Sequence, residues 1–273
     1  MRDNGKLPVP ADSRENHQME LSTEDVERFR QRGYCVQPGF YDQASIKKIS
    51  DWLDALRTTP PPEGAEACYY EQSPVTGEEL LVRVEHILGE HNPEITRLML
   101  TPKLLGAITD LLGEQPVLFK EKVNFKLPGT RPDKLHQDQS AGWNAYTDFF
   151  VTMAVVIDAN RRDNAALSFL STGNYRKALM APEWQPLTDA DPPWEPASDY
   201  ELLEANPGDV VFFDSYVPHG SPANTSSAPR RNIYLTFNRK SAGDLRMRYY
   251  HDKWKSYPPN RPGQGRSAGS YRV

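Results

Sequence analysis

Cysteine is nearly absent. Cys35 and Cys68 are the only two in 273 residues, which excludes a disulfide-stapled scaffold and makes two free thiols in a reducing compartment the default. No run of about 18 apolar residues occurs, so no helical membrane span is expected. The opening residues, Met1-Arg2-Asp3-Asn4-Gly5-Lys6, lack the apolar core of a signal peptide. A cytoplasmic protein is therefore expected, in which the sequon-like Asn224-Thr225-Ser226 carries no meaning. There is no basic excess: 32 Lys and Arg stand against 37 Asp and Glu, a net charge of -5. Nothing global points to nucleic acid, and an anionic ligand would need a local cluster of cations. Internal repeats and low-complexity segments are lacking too.

What is there suits one well-buried domain spanning 1–273. Residues 1–19 are polar and aperiodic and read as a disordered lead. Ser22-Thr23-Glu24-Asp25 is a helix start, and Gly33 the stop. Tyr34–Gln37 reads as a short strand, and Asp42–Leu56 as a helix with Ile46, Ile49, Trp52, Leu53 and Leu56 on one stripe. Residues 58–66 are a proline-rich loop, and Leu80–Glu85 a strand. Pro93–Leu100 and Pro102–Leu112 are helices with proline near each start. From Val117 strands alternate with turns to about residue 238, and a short helix around Trp254 closes the chain. Helices first and strands later predict a mainly β core with an N-terminal helical layer, and the strand count fits a double-sheet jelly roll. Residues 180–198 hold five prolines, Trp184 and Trp194, and read as a lid loop.

The chemistry gathers at Lys134-Leu135-His136-Gln137-Asp138-Gln139. Read as strand, it puts His136 and Asp138 on one side. A distant partner follows the strand Val210–Ser215, at Pro218-His219-Gly220-Ser221. Two histidines and one carboxylate with open positions form the facial triad of non-haem Fe(II) oxygenases. Arg230, eleven residues after His219, opens the next strand and suits a carboxylate cosubstrate, because guanidinium grips carboxylate in bidentate fashion. Arg231 points to the opposite face of that strand. The remaining histidines of the body, His86, His91 and His251, read as surface or cap residues.

From about Leu21 to the C-terminus the chain resembles the phytanoyl-CoA dioxygenase family of Fe(II)/2-oxoglutarate oxygenases. The matching pieces are His136-x-Asp138, Pro207-Gly208-Asp209, His219-Gly220-Ser221, Asn224-Thr225-Ser226 and Arg230. The resemblance implies a cupin-like double-stranded β-helix, with iron on His136, Asp138 and His219. It implies 2-oxoglutarate held through Arg230 and Ser221, with Asn124 a further candidate, and O2 as oxidant. The reaction implied is hydroxylation of a substrate C–H with release of succinate and CO2. Related halogenases replace the triad carboxylate with a small residue, and the retained Asp138 favours hydroxylation. The chain departs from the family at Asn164-Ala165 and Thr172-Gly173-Asn174-Tyr175, where Asn-Gly and Pro-Gly-Ser-His are usual; the local turn shape differs there.

Lys120, Lys122, Asn124 and Lys126 alternate along one strand face. Lysines in such a row guard solvated edge strands, or they form an anion site that opens toward iron, with Lys126 continuing past it to solvent. Gln137, Gln139, Trp143, Tyr146 and Asp148 are candidates to complete a pocket, with Asp148 or Glu71 for a substrate cation. Arg83 and Glu85 either pair with each other or touch substrate. A small zwitterion bearing a strong anion fits this set. The relatives that hydroxylate 2-aminoethylphosphonate or its N-methylated forms look nearest, also around Asp252-Lys253 and Tyr257-Pro258. A tailoring oxygenase for a larger natural product and a non-catalytic metal-holding jelly roll are the other readings.

Overall fold

The computed structural model describes residues 19–59, 66–171, 177–191 and 199–264. The first layer is helical. Helix α1 (Thr23–Arg32) starts where the Ser22 hydroxyl accepts from Asp25 N, and ends at Gly33 with φ 81°. Asp42 caps α2 (Gln43–Thr58), which buries Ile46, Ile49, Leu53 and Leu56. Proline opens α3 (Pro93–Met99) and α4 (Pro102–Leu112), the latter capped by Thr101.

Two antiparallel sheets make up the rest. Strands β1 (Tyr34–Gln37), β2 (Ala67–Gln72), β3 (Glu79–Glu85), β4 (Pro116–Lys126), β6 (Val151–Val156), β9 (Val210–Asp214) and β11 (Arg230–Arg239) form the large sheet, in the order β1-β9-β6-β11-β4-β3-β2. The small sheet runs β5-β10-β7-β8, from β5 (Asp133–His136), β10 (His219–Ser221), β7 (Ser168–Leu170) and β8 (Tyr200–Leu202). Period-two alternation sorts the large sheet. Val123, Phe125, Val151, Met153, Val155, Val210, Phe212, Ile233 and Leu235 join the helices in one core. Ala154, Val211, Phe213 and Tyr234 face the other way and pack with Leu167 and Phe169 in a second. The polar side chains that matter below share that second face. No helix among the described residues is long and apolar enough to cross a membrane.

Helices flank both ends of the chain, so the fold is mixed α and β rather than mainly β. A final helix, α5 (Arg246–Ser256), is longer than the sequence pattern shows. Buried ion pairs anchor it: Arg246 to Glu121 of β4 and Lys253 to Glu85 of β3. Both carboxylates lie outside its hydrophobic pattern, which explains why periodicity understates it. Strands β2 and β8 are also unforeseen; each is an outermost strand of its sheet and lacks a strong apolar repeat. The sequence reading of a disordered lead and of the 172–175 turn falls on residues outside those described.

Gly208, in the turn before β9, adopts φ 98°, and a Cβ there would lie 2.6 Å from the Tyr41 carbonyl oxygen. Both the left-handed backbone and the clash oppose any side chain. Gly208→Ala is expected to cost about 2 kcal/mol or more, lowering Tm by roughly 4–8 °C. Thermal denaturation checks this; an unchanged Tm would show that the turn relaxes freely.

Candidate active site

The two histidines meet because β5 and β10 pair in one register: His219 lies directly opposite His136. Their rings are 4.5 Å apart between centroids. His136 Nδ1 sits 2.7 Å from Lys134 O, and His219 Nδ1 3.0 Å from Val217 O. With Nδ1–H donating to those carbonyls, each ring is oriented with Nε2 left to serve as a ligand. Asp138 arrives differently from the strand expectation. β5 ends at His136, and Asp138 begins a single 3-10 turn, residues 138–140. The turn, not strand alternation, brings the carboxylate round. One ligand atom from each of His136, Asp138 and His219 lies within 4.8 Å of the others. Burial pushes the His219 pKa down, helped by His136, to about 4, so the ring is a neutral ligand at physiological pH. Burial opposes ionisation of Asp138, but His219, Lys120 and Lys122 outweigh it and hold the carboxyl well below its usual range. Two imidazoles and one ionised carboxylate, with one side left open, fit a divalent iron-type ion.

The triad opens on a cavity of about 830 Å³. Lys120, Lys122, Asn124 and Trp143 line it, as the lysine-face reading requires. β4 is an interior strand between β3 and β11, so the lysines do not guard an edge. Lys120 is buried with its ammonium 4.2 Å from the Trp143 ring centroid; Lys122 stands 5.1 Å from that of Tyr234. Arg83 also lines the cavity and lies 3.6 Å from Glu85. Burial opposes the charge on Glu85, yet Lys253, Arg83 and Lys120 hold its pKa at about 2.

Arg230 and Arg231 point to opposite faces. Arg231 is committed to the helical side, bonded to Asp158, Asp54 and Ser50. Arg230 faces inward and is 1% exposed. Its Nη2 donates to Ser221 Oγ at 3.5 Å, and Asn232, with its amide turned to suit its neighbours, accepts from Nη1 at 3.0 Å. Its Nε has no partner, and no carboxylate among the described residues pairs with it. A buried guanidinium without an anion is costly and fits a ligand carboxylate. Asn124 Oδ1 is likewise buried without a partner.

Of the other expected site residues, Gln137 and Glu71 line the cavity, and Gln139, Tyr146 and Asp148 lie away from its lining. Gln137 is 2% exposed, and its amide is spent on Ala178 O, Tyr216 O and Met180 N. It ties the metal-binding segment to the loop 177–191 while also lining the cavity. Gln139 is buried against Asn144 and Thr147. Tyr146 lies outside the cavity lining, packed on Phe119 and Tyr249 with its hydroxyl donating to Asp252. Asp148 is a surface carboxylate, 85% exposed. Glu71 lines the cavity but pairs with Arg131. Lys126 does not reach solvent; it is 5% exposed and bonded to Asp133. Asp133 lines the cavity without a motif to announce it, and Trp184 of the expected lid loop and Tyr257 of the C-terminal resemblance line it as well. Trp184 N donates to Ser140 O and its indole lies against Gly142, which places the described part of the 180–198 loop at the cavity wall.

Comparison with known proteins agrees with this geometry. The family model described as phytanoyl-CoA dioxygenase matches residues 29–232. The chain is similar to the 2-aminoethylphosphonate dioxygenase of the uncultured bacterium HF130_AEPn_1, 36% identical over 239 residues that cover 88% of this chain and 90% of that one. It is 31% identical over 237 residues to the methylphosphonate hydroxylase of Gimesia maris, covering 87% and 88%. The crystal structure of EctD from S. alaskensis with 2-oxoglutarate and 5-hydroxyectoine superposes with a TM-score of 0.66 at 18% identity, over 100% of this chain and 95% of that one; this is a likeness of fold.

A divalent first-row ion added at about 100 times its Kd should stabilise the protein by about 2.7 kcal/mol, raising Tm by roughly 5–10 °C. His219→Ala should abolish the rise. A full rise in that variant would place the ion elsewhere.

Proposed function

The chain belongs to the phytanoyl-CoA dioxygenase family, an iron(II)- and 2-oxoglutarate-dependent dioxygenase by that membership, and on this premise we propose that it hydroxylates a C–H bond of a small phosphonate, 2-aminoethylphosphonate or an N-methylated relative. The observation that carries the substrate reading is that Lys120 and Lys122 project from an interior strand into the cavity that holds the triad. A phosphonate bears two negative charges near neutrality, and ammonium groups at two same-face positions suit it. The relatives named for 2-aminoethylphosphonate and methylphosphonate have a phosphonate group in common, which supports an anion-first site.

His136, Asp138 and His219 hold iron in this reading, and Arg230 holds the far carboxylate of 2-oxoglutarate, with Ser221 and Asn124 beside it. Bound iron would let O2 act as the oxidant: 2-oxoglutarate gives up two electrons and leaves as CO2 and succinate carrying one oxygen atom, and the substrate C–H gives up two more and takes the other oxygen atom as its hydroxyl. The protein's own share is to neutralise three anions, orient the substrate C–H toward the open side of the triad, and keep water out. Trp184 and its loop serve the last task as a lid, and the two sheets are the halves of a double-stranded β-helix.

Two measurements follow. Arg230→Ala should raise the 2-oxoglutarate KM by about 30-fold or more, since losing a buried charge-assisted bond costs about 2–5 kcal/mol. Arg231→Ala should instead lower Tm through lost contacts to Asp158 and Asp54; a larger KM effect there would reverse the assignment. Wild type should couple succinate formation to consumption of 2-aminoethylphosphonate. Lys122→Met should lose substrate affinity while uncoupled 2-oxoglutarate decarboxylation persists. A wild type that turns over no small phosphonate would favour the larger-substrate reading, for which the cavity of about 830 Å³ leaves room.

A further inference from the structure

We propose that Asp133 is an internal anion occupying the donors that the far carboxylate of 2-oxoglutarate needs, so that it sets the protein's affinity for its cosubstrate. The inference rests on the reading that Arg230 and Ser221 hold that carboxylate. Asp133 opens β5 and lies opposite Ser221 of β10, displaced by a bulge between His219 and Ser221. Its Oδ2 accepts from Ser221 Oγ at 3.0 Å and from Lys126 Nζ at 2.9 Å. Ser221 Oγ in turn accepts from Arg230 Nη2 at 3.5 Å, and Lys126 is the cross-strand partner of Arg230 between β4 and β11. The chain of donation therefore runs from Arg230 through Ser221 and ends on Asp133.

A hydroxyl has one proton. While Ser221 donates to Asp133 it cannot donate to a ligand. An incoming carboxylate meets a second negative charge, held ionised against burial by Lys126 and Arg131, and like charges brought together repel. Binding then requires Asp133 to release the hydroxyl. Arg131 is placed to hold the carboxylate that moves away: its Nη1 is already 3.6 Å from Asp133 Oδ1. Asp133 lines both the main cavity and a small chamber with Arg131 and Lys126 beside it, so the carboxylate has room on its far side. Asp133 is accordingly a residue that positions Ser221 and Lys126 and does not touch the reacting atoms.

The test is equilibrium binding of 2-oxoglutarate to protein loaded with Mn(II), which reads affinity without turnover. Asp133→Asn removes the charge and Asp133→Ala removes both charge and acceptor. Each should tighten 2-oxoglutarate about fivefold or more, with Ala at least as strong as Asn. Binding of 2-oxovalerate, which lacks the far carboxylate, should stay within about twofold of wild type. A purely structural Asp133 would give the reverse pattern: lower Tm and both ligands weakened together. Unchanged or weaker 2-oxoglutarate binding in whichever variant folds would overturn the proposal. Arg230→Ala, measured alongside, separates the two layers. If it leaves 2-oxoglutarate binding intact, the anchor reading itself is wrong; if it weakens binding while the Asp133 variants do not tighten it, only the present inference falls.

Discussion

The register between β5 and β10 is the constraint on which the site depends. It sets His219 opposite His136, and no other pairing of these short strands would do so. In a strand, a slip of one residue turns every side chain to the other face. Such a slip here would aim one imidazole away from its partner. The register is pinned from both sides. Outside the triad, β10 also pairs with β7, with His219 against Phe169, and the His219 ring packs against Phe169 and Phe213. Hydrophobic packing thus fixes the ligand geometry before any ion binds, which lowers the ordering cost of binding.

Around that fixed point lies a concentration of buried cations unusual for a chain with net negative charge. Lys120, Lys126 and Arg230 are each almost wholly buried on or beside the inner face of the large sheet. Isolated charges in such positions cost several kcal/mol each. The structure offsets this with few carboxylates, each shared: Glu85 among Lys253, Arg83 and Lys120, and Asp133 among Lys126 and Arg131. Helix α5 therefore has a part in the site although it supplies no ligand. By giving Lys253 to Glu85 it keeps that carboxylate ionised beneath the cavity.

The legible parts of this arrangement were those written in local pattern. The helix start at Ser22, the stop at Gly33, the apolar stripe of α2 and the proline openings of α3 and α4 follow from local pattern alone. The triad was legible because its residue types are rare in combination, not because its geometry was foreseen: a turn after His136 does what strand alternation was expected to do. Gln137, Gln139 and Tyr146 show the limit. Each lies within the motif region, yet Gln137 and Tyr146 are claimed by segments more than 40 residues away, at Ala178 and Asp252, and Gln139 by the turn at Asn144 and Thr147 that no motif announces. Lys126 failed for a similar reason. Its alternation was read correctly, but its partner Asp133 comes from a different sheet.

Strand β4 then supplies a ruler. Lys122 and Lys126 lie on one face four residues apart, about 14 Å at roughly 3.4 Å per residue. That distance is enough to keep two small anions from competing for one set of donors. The electrostatics divide the same way: Lys120 and Lys122 act on Asp138, whereas Lys126 acts on Asp133. Asn124, uncharged and with a buried unpartnered oxygen, stands between the two ends. Under the proposed function, the substrate anion and the far carboxylate of the cosubstrate are sorted by position along a single strand. Exchanging a charge between positions 122 and 124 would bring the two anion sites within one same-face step of each other, and the discrimination would be lost although the triad remained intact.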